Sequence, residues 1–227
     1  MSRIADNYAA VMAEIEAACN DAGRAVSEVK LLSVTKAVGL SELEQAIALG
    51  HHAFGENREP QFKARQSAYP EQDWHFIGSI QTNKLKDIVG RAALIHSVAS
   101  AHALQRIDRL ALDQSIVQGI LLEVNTSGEL SKDGVPPEQL PALVEMAEES
   151  AGVDLRGLMT MAPRIPLDAS PDERTKAEAR ARQAFSDLRE LAIQYNLCEL
   201  SMGMSGDFAL AILEGATIVR IGTRLWI

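Results

Sequence analysis

The residues with chemistry to offer gather at two ends of the chain. Lys36 closes the apolar run LLSVTK (31–36), and Arg220 lies within TIVRIG (217–222), followed by Thr223. A lysine at the end of an apolar strand has two readings. In one, its stem packs against apolar surface and its ammonium stays in water. In the other, burial favours the neutral amine, the form that attacks a carbonyl to make a Schiff base. An arginine inside a fold is costly unless paired. Arg220 is thus either half of an ion pair, with Glu56 or Glu123 as acceptor, or a donor aimed at a ligand. Gly203-Met204-Ser205-Gly206 and Gly222-Thr223 place small residues and hydroxyls in two turns near the chain's end. Such turns let main-chain N–H groups surround an anion, although tight strand-to-helix connections use the same residues. Two of them on neighbouring strands favour a bound phosphate.

Those residues need a scaffold, and the hydropathy pattern supplies one. Ile4, Tyr8, Val11, Met12, Ile15 and Cys19 fall on one helical face, predicting an amphipathic helix over residues 1–22. Short apolar runs then alternate with helical stretches. Strands are predicted at 30–36, 52–56, 74–78, 93–98, 119–126, 154–161, 197–202 and 217–222. Ser41 with Glu44 reads as a capping box opening the helix after the first strand, helices are predicted at 82–89, 137–150 and 205–214, and Gly222-Thr223 opens a last helical turn. Strict alternation implies a parallel sheet. About eight units predict an α/β fold, a single (β/α)8 TIM-type barrel with an extra N-terminal helix, with residues 1–227 as one domain. An open doubly wound sheet is the other candidate, but the turn after the first strand reads T-K-A-V-G-L, without its glycine fingerprint.

In such a barrel the strand C-termini carry function. The polar residues there are Lys36, Asn57, Ser79, His96, Ser97, Asn125, Thr160, Ser205, Arg220, Gly222 and Thr223. Alternation along a strand pairs an inward Lys36 with Val34 and Leu32, and an inward Arg220 with Ile218. His75 and His96 read as satisfied core or rim histidines. The remaining histidines lack metal-ligand spacing, so no metal is expected. Cys19 and Cys198 read as reduced, buried filler.

Composition narrows the partners. Asp and Glu number 31 against 22 Lys and Arg, a net charge of −9. That balance opposes general nucleic-acid binding and suits a small anionic ligand at a local site. No apolar run approaches the roughly 18 residues of a membrane span. The start, MSRIADNY, lacks the apolar core of a secretion signal. A cytoplasmic protein that binds neither membrane nor nucleic acid is expected.

Six segments resemble a known family in its order: LLSVTK (31–36), FGEN (54–57), WHFIGSIQTNK (74–84), VNTSGELSKDG (125–134), LRGLMTM (155–161) and GMSGDFALAILEGATIVRIGT (203–223). The chain resembles the pyridoxal 5′-phosphate (PLP) homeostasis proteins, single-domain relatives of the alanine racemase N-terminal barrel. The resemblance implies PLP as cofactor, held as a Schiff base on Lys36. It also implies phosphate contacts from Ser205, Gly222 and Thr223, Arg220 near the pyridine nitrogen, and Asn57 near the cofactor. Where the family usually ends in Phe-Gly, Trp226 and Ile227 stand here.

The implied function is intracellular PLP homeostasis or carriage without turnover, by a monomer that hands PLP to apo PLP-dependent enzymes. The alternatives are a PLP-dependent amino-acid racemase-like enzyme and a cofactor-free Schiff-base aldolase. A racemase of the related type draws a tyrosine base from a separate C-terminal β domain. Tyr8, Tyr69 and Tyr195 fall in or at the ends of predicted helices, poorly placed as a second base. A cation at the pyridine nitrogen also weakens the ring as an electron sink.

Overall fold

The computed structural model describes residues 2–36, 38–129, 132–166 and 168–227. Eight parallel strands pair in sequence order and close on themselves. They are β1 (Lys30–Val34), β2 (Ala53–Glu56), β3 (Asp73–Phe76), β4 (Leu94–Val98), β5 (Gln118–Glu123), β6 (Val153–Met159), β7 (Glu199–Ser201) and β8 (Ile218–Ile221). The closing pair, β8 with β1, sets Arg220 beside Leu32. The helices are α1 (Arg3–Asp21), α2 (Leu40–Ala48), α3 (Glu59–Ala68), α4 (Ala101–Asp113), α5 (Leu140–Glu149), α6 (Pro171–Gln194), α7 (Phe208–Leu213) and α8 (Thr223–Trp226). This is the expected TIM-type barrel, and the closed strand order excludes the open doubly wound sheet.

Side-chain alternation divides the apolar residues into two cores. Leu32, Leu94, Leu121, Met159 and Ile218 pack inside the barrel. Their strand neighbours, among them Phe54, Trp74, Ile95, Ile120, Leu122, Leu158 and Val219, pack outward under the helices. Both faces of each strand are covered, which is why the strands read as near-continuous apolar runs. Leu32 and Ile218 face inward as the alternation predicts.

Helix α1 covers the seam where the barrel closes. Ile4, Tyr8, Val11, Ile15, Ala18 and Cys19 form its buried stripe, and it packs on α7 and α8. Each large apolar side chain so buried is worth about 1.5–3 kcal/mol before ordering costs. The Ser2 hydroxyl caps it by accepting the Ala5 N–H. Tyr8 reaches through to donate to Ser33 Oγ at 2.8 Å, and burial raises its phenol well above the usual range.

Local expectations fail where a tertiary partner competes. Helix α2 starts at Leu40 behind Gly39, without a side-chain cap. Ser41 is therefore not its cap, and Glu44 instead accepts from the Tyr69 hydroxyl at 2.8 Å. The predicted helix at 82–89 is a 3-10 segment, Thr82–Asp87. The helix predicted from Pro137 opens with a 3-10 turn, Pro137–Gln139, before α5. The helix predicted over 205–214 narrows to α7, behind Asp207. Cys19 is buried as expected, whereas Cys198 is exposed.

Candidate functional site

Lys36 follows β1 at the C-terminal rim and is exposed. Its neighbours are held firmly. Thr35 is fully buried and points outward, donating its hydroxyl to Glu56 Oε2 at 2.9 Å. Arg65, on α3, donates to Glu56 Oε2, to the carbonyl of Thr35 at 2.6 Å and to that of Val38 at 2.5 Å. Two of these three bonds, to the Thr35 and Val38 carbonyls, thus fasten the chain on both sides of Lys36. Glu56 is therefore the partner of Arg65, not of Arg220. Sequence spacing carries no sign of this clamp, because Arg65 lies on what reads as a polar helix.

The opposite edge of β1 meets β8, and there the two small-residue turns converge. Gly203 adopts φ +88°, and a Cβ there would fall 2.6 Å from that of Ala211. Only glycine turns the chain from β7 toward Ser205 so closely. Ser205 Oγ accepts the Gly222 main-chain N–H at 3.3 Å. Gly222 is the N-cap residue of α8, whose first residue is Thr223. Trp226 completes this short helix and donates its indole N–H to the Val34 carbonyl at 2.8 Å. The last turn predicted at Gly222-Thr223 is thus present, tied to β1 beside Lys36.

Arg220 points into the barrel and is 5% exposed. Its Nη1 donates to Ser201 Oγ at 2.7 Å and its Nη2 to the Thr160 carbonyl at 2.9 Å. These bonds use two of the five N–H groups a guanidinium carries. Burial pulls its pKa down to about 10, opposed by the charges of Asp207 and Glu123. Neither carboxylate forms a direct ion pair with it among the described residues. Glu123, also expected as a direct partner, acts only through its field. Burial first, then the Asp133 charge, pushes Glu123 up to about 7, against the pull of Arg220.

Other strand-end residues are divided. Asn57 follows β2, and its Oδ1 is buried without a hydrogen-bond partner. A Cβ on Gly78 would lie 2.0 Å from the Asn57 carbonyl oxygen, so glycine permits this close passage. Asn125 is spent on its own loop, donating to the Glu129 carbonyl at 2.9 Å. Thr160 donates to the Val124 carbonyl at 2.8 Å, and Ser97 to that of Gly78. Two clefts open at this rim. One, about 400 Å³, is walled by Asn57, Arg58, Phe76, Ser79, Gln81 and Lys84. The other, about 340 Å³, holds Glu123, Lys132 and Asp133. Neither is lined by Lys36, Ser205 or Arg220, so the strand ends rather than cleft size locate the site.

The rim therefore presents an exposed amine, a hydroxyl and amide pair, a buried cation and an unpartnered amide oxygen. The family model for the alanine racemase N-terminal domain matches residues 7–227. A protein of Aquifex aeolicus named pyridoxal phosphate homeostasis protein is 41% identical over 222 residues, covering 95% of this chain and 94% of its own. This chain belongs to the pyridoxal phosphate homeostasis protein family. Among solved structures, a protein of Bifidobacterium adolescentis superposes with a TM-score of 0.87 at 34% identity, covering 98% of this chain and 94% of its own. PipY of Synechococcus elongatus, solved with PLP bound, gives a TM-score of 0.71 at 32% identity, covering 94% and 100% of the two chains. The expected family and fold stand on these likenesses.

Proposed function

We propose that this chain binds PLP and serves PLP homeostasis as a carrier, with Lys36 holding the cofactor aldehyde as a Schiff base. The observation that carries the reading is the meeting of β1 and β8. Lys36 leaves one strand, Gly222 leaves its neighbour, and Ser205 already holds the Gly222 N–H. PLP-bound PipY, similar over nearly the whole chain, supports it.

The residues present fit the group. Bound PLP would supply an electrophilic aldehyde, a phosphate and a pyridine ring. The exposed Lys36 amine is free to reach the aldehyde. Ser205, Gly222 and Thr223 offer hydroxyls and main-chain N–H groups to the phosphate, a donor set suited to an anion. Arg220, with N–H groups to spare, would face the ring nitrogen as a permanent cation. Asn57 Oδ1, buried and unpartnered, would accept a hydrogen bond beside the cofactor.

Carriage rather than racemisation is supported by the names of the relatives and by the tyrosines. Tyr8 bonds Ser33, Tyr69 bonds Glu44, and Tyr195 closes α6. None stands at a strand end to serve as a second base. We propose residues 1–227 as one PLP-binding domain, working as a cytoplasmic monomer and giving PLP to apo-enzymes. No helix among the described residues is long and apolar enough to cross a membrane.

The test is reduction of the PLP-loaded protein with borohydride, followed by peptide mass spectrometry. A pyridoxyl group on Lys36 alone is expected, together with loss of the visible absorbance band. Labelling of another lysine, or of none, overturns the assignment.

A further inference from the structure

Inside the barrel a line of polar side chains runs between its two rims. Asp73 opens β3 at the N-terminal rim, where Lys30 Nζ donates to its Oδ2 at 3.1 Å. The same Oδ2 lies 3.2 Å from His75 Nε2, a contact too poorly aligned to count as a full hydrogen bond. His75 Nδ1 is 2.8 Å from His96 Nε2, and His96 Nδ1 is 2.8 Å from Ser201 Oγ. Ser201 Oγ then accepts from Arg220. Four strands, β3, β4, β7 and β8, contribute to this line. His96 and Ser201 are fully buried, and His75 is 2% exposed.

We propose that His75, His96 and Ser201 form a one-way hydrogen-bond chain, oriented at its far end by the nearby Asp73 carboxylate, that positions Arg220. The direction follows from its ends. Arg220 can only donate, so Ser201 Oγ accepts from it and has its own O–H left to give. The acceptor in reach is His96 Nδ1. His96 must then carry its proton on Nε2 and donate to His75 Nδ1. His75 in turn carries its proton on Nε2, facing the Asp73 carboxylate, which can only accept. In the reverse order the Ser201 O–H would lack an acceptor, and a bare His75 nitrogen would face a carboxylate. Both histidines are neutral in the forward order. Burial, with the cations Arg220 and Lys30 and the His75 ring nearby, agrees by holding His96 well below the usual histidine range.

The consequence reaches the cofactor site. Among the described residues Arg220 has no direct carboxylate partner, and a chain polarised toward Asp73 connects it to one through aligned dipoles. Bonds in such a chain reinforce one another. The four residues are positioning residues: they hold the guanidinium in place and keep its remaining N–H groups directed at the rim. This last step rests on the reading that Arg220 faces the ring of PLP.

The experiment has two arms. In the cofactor-free protein, long-range nitrogen–proton NMR with labelled histidine should show His75 and His96 as neutral Nε2–H tautomers at pH 7. A cationic ring or an Nδ1–H tautomer at either position overturns the chain. In the second arm, PLP is added to the parent, Ser201→Ala, Arg220→Gln and the double variant. Ser201→Ala should shift the visible band in the same direction as Arg220→Gln, with Lys36 still labelled by borohydride. The double variant should shift no further than Arg220→Gln alone, since the two act as one unit. Additive shifts, or an unmoved spectrum in Ser201→Ala, refute the positioning role. Failure of the parent to take up PLP would overturn the functional reading instead, and the NMR arm would still decide the chain.

Discussion

Trp226 donates its indole N–H to the carbonyl of Val34 across 2.8 Å, joining the penultimate residue to the first strand two positions before Lys36. The closure is reinforced from α1. Arg3 donates to the Trp226 carbonyl, Asn7 to those of Leu225 and Ile227, and Tyr8 meets the indole edge-on at 5.7 Å between ring centroids. The two ends of the chain are thus fastened to each other beside the candidate site. Trp226→Phe keeps an aromatic ring but leaves the Val34 carbonyl without this donor. The expected cost is about 1–3 kcal/mol, or roughly 2–4 °C in Tm for each kcal/mol in a domain of this size. Thermal unfolding followed by circular dichroism measures it, and an unchanged Tm would show that the bond contributes nothing.

Ser205 and Thr223 lie on different loops and come together only because β7 and β8 are neighbours. If they hold phosphate, each charge-assisted bond is worth about 1.5–3 kcal/mol. Ser205→Ala and Thr223→Val should each weaken PLP binding about tenfold to a hundredfold. Pyridoxal, which has no phosphate, should bind the parent weakly and lose little further in either variant. Equal losses for both ligands would refute the phosphate role. An unchanged PLP affinity would assign the anion to main-chain N–H groups alone.

Glu123 gives the barrel a pH dependence with a definite sign. Its carboxyl has an ordinary value of 4.5 and is pushed up to about 7 in the fold by burial and by Asp133. Folding therefore takes up a proton between those values. The stability that the protonated group contributes is complete below about 4.5 and is lost as pH rises through about 7. Glu123→Gln replaces it with a neutral group of the same shape. The variant should gain up to about 3 kcal/mol over the parent at pH 8.5 and little at pH 5. Paired denaturant titrations at the two pH values test this, and a gain of equal size at both would mean that the effect is not ionisation.

The barrel itself was legible in the sequence because its signals are local. Strands buried on both faces read as short apolar runs, and α1 reads as a stripe at helical spacing. Alternation along β1 and β8 put Leu32 and Ile218 inside. The glycine and hydroxyl turns after β7 and β8 stood out by composition. Adjacency in a closed barrel then brought Ser205 to Gly222. These are properties of a few consecutive residues, and each survives into the fold because the covalent chain enforces it.

The partners of the buried charges were decided only by the tertiary structure. The sequence offered Arg220 as the cation for Glu56 and gave no sign of Arg65. Glu56 goes to Arg65 because, like Thr35, it points outward from its strand toward α3. Ser41 lost its capping role when helix α2 began two residues earlier, at Leu40 behind Gly39, and Glu44 turned to Tyr69. His96 and Ser201 lie 105 residues apart, and each alone reads as an unremarkable core residue. Strand order and register across the interior set them within 2.8 Å of each other. A buried polar group must find its hydrogen bond wherever the fold offers one, and that choice is made in space, after the periodicity of the chain has already settled which way each side chain points.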